Sequence, residues 1–337
     1  MTKAKTNAAS GPLVHLAVLA VYAAAAIGVW TRDKEPKAQG DVTVWSGRAA
    51  DVERFTYESK TRKVDLAAKS DAVGRYFVGT AEREAPASPA PDGGAPVPAA
   101  LRTTTTVVSV GGADKLATAL APLKALRALG RIGDDRAAEF GLAEPEGTVS
   151  FKVSGTEHKL LLGSTTPGGG DRYAKDPASG EVYVLKGEPL RSLESAESSL
   201  MERELHEWKE GDVTALKILA GGKTRALVRG GEGAKKFWAD AAKPEENDET
   251  LGNWMSKLDR LRPTEFAPAT PEGRELVVRL EYAAGSRALG FVEVVKTKAT
   301  EAGKSDYYLQ TERTRLFAKV SASLAEQLEQ DLGSAVK

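Results

Sequence analysis

Gly222-Lys223-Thr224 has the ending of a P-loop, the glycine-rich motif that binds phosphate groups. A P-loop also needs a glycine five positions before its second glycine and a helix directly after the motif. Position 217 is Lys217, and the residues on both sides of the segment alternate as strands do. Residues 219–224 therefore predict a hairpin turn and not a nucleotide site.

Residues that serve as nucleophiles, bases or metal ligands are few and isolated. The sequence has no cysteine, which excludes thiolate nucleophiles and cysteine-bound metals. Its three histidines are scattered: His15 lies in an apolar run, His158 opens a predicted strand, and His206 has no recognisable partner. The carboxylates are spread over charged faces. We therefore predict no catalytic residue, no metal site and no cofactor, and expect a protein that is not an enzyme.

Tryptophans are the remaining functional candidates, as ligand contacts and not as reactive groups. Trp208, Trp238 and Trp254 all lie in the C-terminal part of the chain. Large rings of this kind line many ligand clefts. We take these three residues as a candidate binding surface for a polysaccharide, a lipid or a peptide, provided that they line a cleft between the two repeats described below.

The charge balance argues against a nucleic-acid partner. Lys plus Arg and Asp plus Glu are both 47, so the formal net charge is zero. Nucleic-acid-binding domains usually carry a basic excess or stripe. The length of 337 residues is sufficient for one membrane anchor and two ordinary domains.

An apolar run near the N-terminus predicts a membrane anchor. Residues 13–30 contain no Asp, Glu, Lys or Arg, and Trp30 lies at the far end. Such a helix is about 27 Å long, close to the ~30 Å hydrocarbon core. A cleaved signal peptide, with small residues at 23–26, and a buried core helix are the alternatives. The basic residues on the two sides do not fix the orientation.

We expect a single-pass protein of the inner (cytoplasmic) membrane, with lipid as a partner through the anchor. Residues 1–12 form a cytoplasmic tail, 13–30 the anchor and 31–44 a linker. The bulk of the chain then lies in the periplasm or extracytoplasmic space.

The remaining chain predicts an α+β fold of two tandem repeats, residues 45–205 and 206–332. Each is expected to be an antiparallel sheet with amphipathic helices on one face, because short alternating runs are separated by turn residues. One helix should start at Asp114 and bury Leu120, Leu123 and Leu126, and an equivalent helix should start at Asp248. Residues 85–100, rich in Pro, Ala and Gly, predict an exposed loop.

Several short motifs resemble the bacterial domain-of-unknown-function 4340 family. They are Phe140-Gly141-Leu142-Ala143-Glu144-Pro145, Leu160-Leu161-Leu162-Gly163, Tyr173-Ala174 and Val182-Tyr183-Val184-Leu185. The resemblance implies a membrane-anchored envelope protein without assigned chemistry, often an auxiliary part of gliding-type or other ABC-transport systems. It brings no catalytic residues, and the Pro-rich insertion at 85–100 departs from it.

Three functions remain open from the sequence. The first is a non-catalytic scaffold or auxiliary subunit of an envelope complex, with an envelope protein partner such as an ABC-transporter subunit. The second is an extracytoplasmic module that binds a polysaccharide, lipid or peptide. The third, a hydrolase of unrecognised type, requires a cleft with converging and strongly perturbed titratable groups.

Overall fold

The computed structural model describes residues 42–84, 102–231, 236–298 and 304–337. The predicted tail 1–12, anchor 13–30 and Pro-rich loop 85–100 lie outside the described residues, as does the linker 31–44 up to residue 41. Among the described residues, no helix has both the length and the apolar character needed to cross a membrane.

Strands dominate the fold. They hold 45% of the described residues, against 21% in helices. The strands are β1 Val42–Trp45, β2 Val52–Ser59, β3 Arg62–Ser70, β4 Arg75–Glu84, β5 Arg102–Ser109, β6 Leu123–Ala125, β7 Arg127–Arg131, β8 Gly147–Val153, β9 Thr156–Thr165, β10 Asp171–Lys175, β11 Glu181–Lys186, β12 Ala215–Ala220, β13 Lys223–Gly230, β14 Phe237–Asp240, β15 Glu265–Phe266, β16 Glu275–Ala284, β17 Arg287–Lys296, β18 Tyr307–Thr311 and β19 Ala318–Lys319.

The helices are short, and three of them have only one turn. They are α1 Gly111–Leu120, α2 Asp134–Ala137, α3 Gly187–Glu194, α4 Ala196–Ser199, α5 Glu249–Leu258, α6 Ala322–Gln330 and α7 Leu332–Ala335. Single 3₁₀ turns at Ala49–Asp51 and Glu210–Asp212 come shortly before β2 and β12, and a third covers Ala138–Phe140.

All strand pairs in the described residues are antiparallel, and seventeen of the strands join in one continuous sheet. Its order is β7-β11-β10-β9-β8-β2-β3-β4-β5-β15-β19-β18-β17-β16-β12-β13-β14. The order β4-β3-β2-β8-β9-β10-β11-β7 in the first half (residues 45–205) has the same sequence of connections as β14-β13-β12-β16-β17-β18-β19-β15 in the second half (residues 206–332). Strands β1 and β6 form a separate two-stranded sheet.

The predicted fold class is therefore wrong. We expected a transmembrane helix followed by an α+β arrangement in which each repeat has its own antiparallel sheet. The protein is instead mainly β, no membrane-spanning helix occurs in the described part of the chain, and the two sheets merge into one. The merging strands are β5 and β15, where Thr106 pairs with Phe266. These residues are 160 positions apart, and nothing in a local pattern signals such a pairing.

Burial nevertheless divides the molecule into two large cores, because alternating strand residues face helices on one side. The first core contains Phe55, Phe77 and Phe151 from the strands, together with residues of α1 and α3. The second contains Trp254 and Leu258 from α5, together with residues of β12, β16 and α6. Full burial of such side chains stabilises each half by about 1.5–3 kcal/mol per residue.

The helix expected at Asp114 is shorter and starts earlier than the pattern suggested. It begins at Gly111, so Asp114 lies inside its first turn and is not its cap. It ends at Leu120, because Pro122 cannot continue a helix and forces Ala121 into an extended conformation. Leu123 then lies in β6, where it is 5% exposed, and Leu126 follows β6. At Asp248 the prediction is confirmed: its carboxylate accepts a hydrogen bond from Leu251 N at 2.9 Å.

A small third core and a charge cluster join the halves. Val108 and Met201 from the first half pack with Phe266 and Ala318 from the second. Beside them, Glu202 accepts hydrogen bonds from the N–H groups of Val110 (3.3 Å) and Gly111 (3.2 Å). The same carboxylate lies 3.2 Å from Arg313 Nε of the second half. Glu202 therefore contacts the start of α1 and the second half at once.

Candidate functional site

An aromatic pocket of about 260 Å³ lies in the second half, close to the junction. Trp208 and Trp238 both line it, whereas Trp254 does not. Trp254 is 1% exposed and donates its indole N–H to Leu328 O at 3.0 Å, so it belongs to the second core. The structure thus brings two of the three predicted tryptophans to one pocket, which is lined by the second half and by Glu204 and Leu205 at the end of the first.

Four different elements position the pocket side chains. Trp208 lies on the segment that connects the halves, and Trp238 lies on the edge strand β14. Tyr282 lies on β16, where pairing with Leu216 of β12 fixes its place. The last turn and C-cap of α5 supply Met255 and Asp259, because these residues are four apart and share one face of the helix.

The aromatic rings are in mutual contact. The rings of His206 and Trp208 stack with centroids 3.9 Å apart and an interplanar angle of 22°. Tyr282 lies 4.7 Å from Trp208 and 5.1 Å from His206. Across the pocket, the Arg229 guanidinium carbon lies 4.6 Å from the Trp238 ring centroid. The rings therefore form an apolar wall with a negatively polarised face.

A buried carboxylate fixes His206. Glu312, which is 7% exposed, places Oε1 at 2.9 Å from His206 Nδ1. Its other oxygen accepts a hydrogen bond from Phe291 N at 2.9 Å. Carboxylate–imidazole pairs of this kind hold the ring orientation and the tautomer of a histidine, and here they hold it against Trp208.

The charges around the pocket are unequally compensated. Glu210 pairs with Arg229. No hydrogen bond or ion pair reaches the Asp259 carboxylate from any described residue. Loss of water raises the pKa of this carboxyl, and the negative charge of Glu210 raises it further. Burial, together with Asp259 and Glu312, raises the pKa of Tyr282 well above its usual value, so this phenol stays neutral.

One polar group of the pocket wall has no partner. The indole N–H of Trp208 is enclosed and meets no hydrogen-bond acceptor in the described part of the chain. Leaving such a donor unsatisfied costs about 1–3 kcal/mol. Local departures from the rules of stable packing are typical of functional sites, and this one lies in the wall of a pocket.

Other clefts lie in the first half and carry different chemistry. One of about 360 Å³ is lined mainly by apolar residues of α1, β6 and α3, including Pro122 and Leu190. Another of about 530 Å³ contains Phe140 and Tyr173, whose rings meet edge to face at 4.9 Å. Neither of these two clefts is lined by a tryptophan.

The P-loop-like segment is a hairpin turn, as predicted. Ala220 pairs with Lys223 across the β12–β13 hairpin, and Gly221 and Gly222 have positive φ angles of 55° and 76°. Two glycines with positive φ angles make the two-residue turn that matches the twist of the strands.

Within the described ranges, no three His, Asp or Glu residues come together as a metal site would require. His158 stacks on Trp45 at 4.7 Å.

The pocket can bind a small group but has no recognisable constellation for bond cleavage. Its one histidine is engaged by Glu312, and its phenol stays neutral. Trp208 and Trp238 were predictable from the sequence as binding residues, whereas Tyr282, Asp259 and Glu312 were not. Glu312 is 106 positions from His206, and Tyr282 belongs to an alternating strand pattern that any core residue would share, so no local signal marked either residue.

Comparison with known proteins gives a family but no function. A family model described as a domain of unknown function (DUF4340) matches residues 113–276. This range includes Trp208, Trp238 and Asp259 but ends before Tyr282. No curated protein and no solved structure matches the chain. Residues 113–276 of the chain therefore belong to the domain-of-unknown-function 4340 family.

Proposed function

We propose that this protein is a non-catalytic scaffold or auxiliary subunit of an envelope complex, anchored in the inner membrane through residues 13–30 and associated with an ABC-type transporter. The observation that carries the proposal is the continuous sheet, which joins seventeen strands of both halves through the pairing of β5 with β15. Many of its buried charged side chains form ion pairs with other side chains of the fold. Arg172, for example, pairs with Glu146 and Glu194. Side chains engaged in this way support structure and not turnover.

Co-isolation from native membranes tests this proposal. The full-length protein, cross-linked in its own membrane and then purified, should carry transporter subunits in fixed stoichiometry. A matched sample in which the protein starts at residue 41 should remain in the soluble fraction and lose these partners. Recovery of the full-length protein in the washed soluble fraction would refute the anchor, and its isolation without any transporter subunit would refute the association.

A second function, an extracytoplasmic ligand-binding module, is favoured by the aromatic pocket. Trp208, Trp238 and Tyr282 come from separate elements and converge on one cavity, as the residues of small-molecule sites do. Saturable binding to the purified protein, lost in Trp208→Ala, tests it. A pocket variant with unchanged binding would remove this candidate and leave the scaffold proposal untouched.

A further inference from the structure

The carboxylate of Asp259 is the feature of the aromatic pocket that calls for a ligand. It has no hydrogen-bond or ion-pair partner among the described residues, although the nearby Glu210 has Arg229. The neighbouring Arg262 offsets this charge only at a distance, because its guanidinium donates to the backbone oxygens of Asp259 and Leu261 and forms no ion pair with the carboxylate. A negative charge beside a low-dielectric wall gains strongly from a cation.

The location of Asp259 strengthens this preference. It is the C-cap residue of α5, so its carboxylate lies at the C-terminal end of this helix. The C-terminal end of a helix carries partial negative charge and favours cations. An anionic ligand would meet Asp259, Glu210 and the helix end together, which favours a cation over an anion.

The aromatic wall defines which kind of cation fits. The Trp208 and Tyr282 rings lie side by side at the pocket, and ring faces attract organic cations through their negative quadrupole. Arg229 already uses the Trp238 ring in this way, with its guanidinium carbon 4.6 Å from the centroid. A strongly hydrated metal ion would gain nothing from these rings and would find one free carboxylate.

From these contacts we propose that the pocket formed by Trp208, Tyr282 and Asp259 binds a small organic ammonium group. The proposal rests on the second function above, the ligand-binding module, and names its ligand class. The cavity of about 260 Å³ lies just below the usual range of ~300–1,000 Å³ for small-molecule sites. It therefore accommodates a headgroup-sized ammonium compound, with either a primary or a quaternary nitrogen.

Titration calorimetry on the full-length protein tests the charge requirement. The protein is placed in nanodiscs of phosphatidylglycerol, whose headgroup carries no ammonium. The probes are choline, ethanolamine, and 3,3-dimethylbutan-1-ol, the neutral isostere of choline, with N-acetylglucosamine as a neutral sugar. We expect an ammonium probe to bind at least about tenfold more tightly than the neutral isostere. The ratio of the dissociation constants of choline and ethanolamine shows whether the pocket prefers the quaternary or the primary ammonium group.

Variants assign the binding to the pocket. Asp259→Asn and Trp208→Ala should each weaken ammonium binding about tenfold, and Trp208→Phe should retain part of it. Glu139→Gln, which removes a carboxylate from an exposed ion pair with Arg136 in the first half, is the matched control and should bind as the parent does. If Trp208→Ala fails to fold by circular dichroism, Asp259→Asn decides, because this carboxylate supports no described contact.

The outcomes separate the two levels of the proposal. If neither choline nor ethanolamine binds more tightly than the neutral isostere, or if Asp259→Asn keeps full affinity for the ammonium probe, the ammonium assignment is overturned. Binding of N-acetylglucosamine alone, lost in Trp208→Ala, would overturn it while keeping the binding module. Absence of binding by all four probes would overturn the ammonium assignment, and the co-isolation experiment would still judge the scaffold independently.

Discussion

Replacing Glu202 by Gln should destabilise the junction between the halves. The Glu202 side chain is 6% exposed and lies between the start of α1 and Arg313. One oxygen accepts from Val110 N and Gly111 N, and the other from Arg203 N at 3.1 Å and Glu204 N at 3.0 Å. Gln has nearly the same shape, but one of the two accepting oxygens becomes an NH₂ donor. This donor would face the backbone N–H groups, which are donors too.

The size of the loss follows from these contacts. Breaking a buried ion pair by removing one partner costs about 3–5 kcal/mol, because the other charge stays desolvated. Arg313 keeps a second partner in Glu207, whose oxygen lies 3.0 Å from Nη1. This partner is 42% exposed and compensates only in part. We therefore expect the lower end of the range, about 3 kcal/mol.

Urea unfolding at pH 7, followed by tryptophan fluorescence and circular dichroism, measures the effect. Glu207→Gln is the matched control, because it removes the exposed partner of the same arginine and should cost at most about 1 kcal/mol. If Glu202→Gln costs less than about 1 kcal/mol, or no more than Glu207→Gln, the assignment of Glu202 as the residue that joins the halves is wrong.

Two further predictions concern the second half. Leu258→Ala should lower the free energy of unfolding by about 2–5 kcal/mol, because Leu258 is 1% exposed. Leu276→Ala, at a residue that is 52% exposed, should change it by less than about 0.5 kcal/mol. Equal effects of the two substitutions in denaturant melts would contradict the assigned core. Asp248→Asn should reduce the loss of stability on acidification. Desolvation raises the pKa of the Asp248 carboxyl, but hydrogen bonds from Leu251 N and Arg225 outweigh it, so the pKa is lowered in the folded protein. The stabilisation by Asp248 is therefore complete above the unfolded pKa near 3.9 and is lost as pH falls through the folded pKa. Urea midpoints of both proteins at pH 7 and pH 3 check this, and an identical acid loss would refute it.

Local signals in the sequence predicted local structure well. Asp248 was readable as a helix start because a cap acts through its own next three residues. The turn at Gly221 and Gly222 was readable because glycine occupies positive φ without strain. The sequence predicts too long a helix after Asp114, because the apolar spacing continues past Pro122. The backbone restriction imposed by Pro122 outweighs that spacing and ends the helix at Leu120.

Long-range features could not be read in the same way. The pairing of Thr106 with Phe266 depends on how two finished sheets meet, so the single sheet was missed and two separate ones were expected. The same dependence on the finished fold explains why only part of the candidate site was predictable. Trp208 and Trp238 were conspicuous as residue types, whereas the importance of Asp259 lies in what does not contact it, which only the fold determines.

The joining of the halves has a mechanical consequence. Strand β15 contains two residues and pairs with β5 through one residue pair, whereas β5 pairs with β4 along eight. Under tension applied across the sheet, the ladder should open first between β5 and β15, because the fewest backbone hydrogen bonds resist there. Each half keeps its own core when this seam opens. The molecule would thus extend under load by parting at its middle, with both halves still folded.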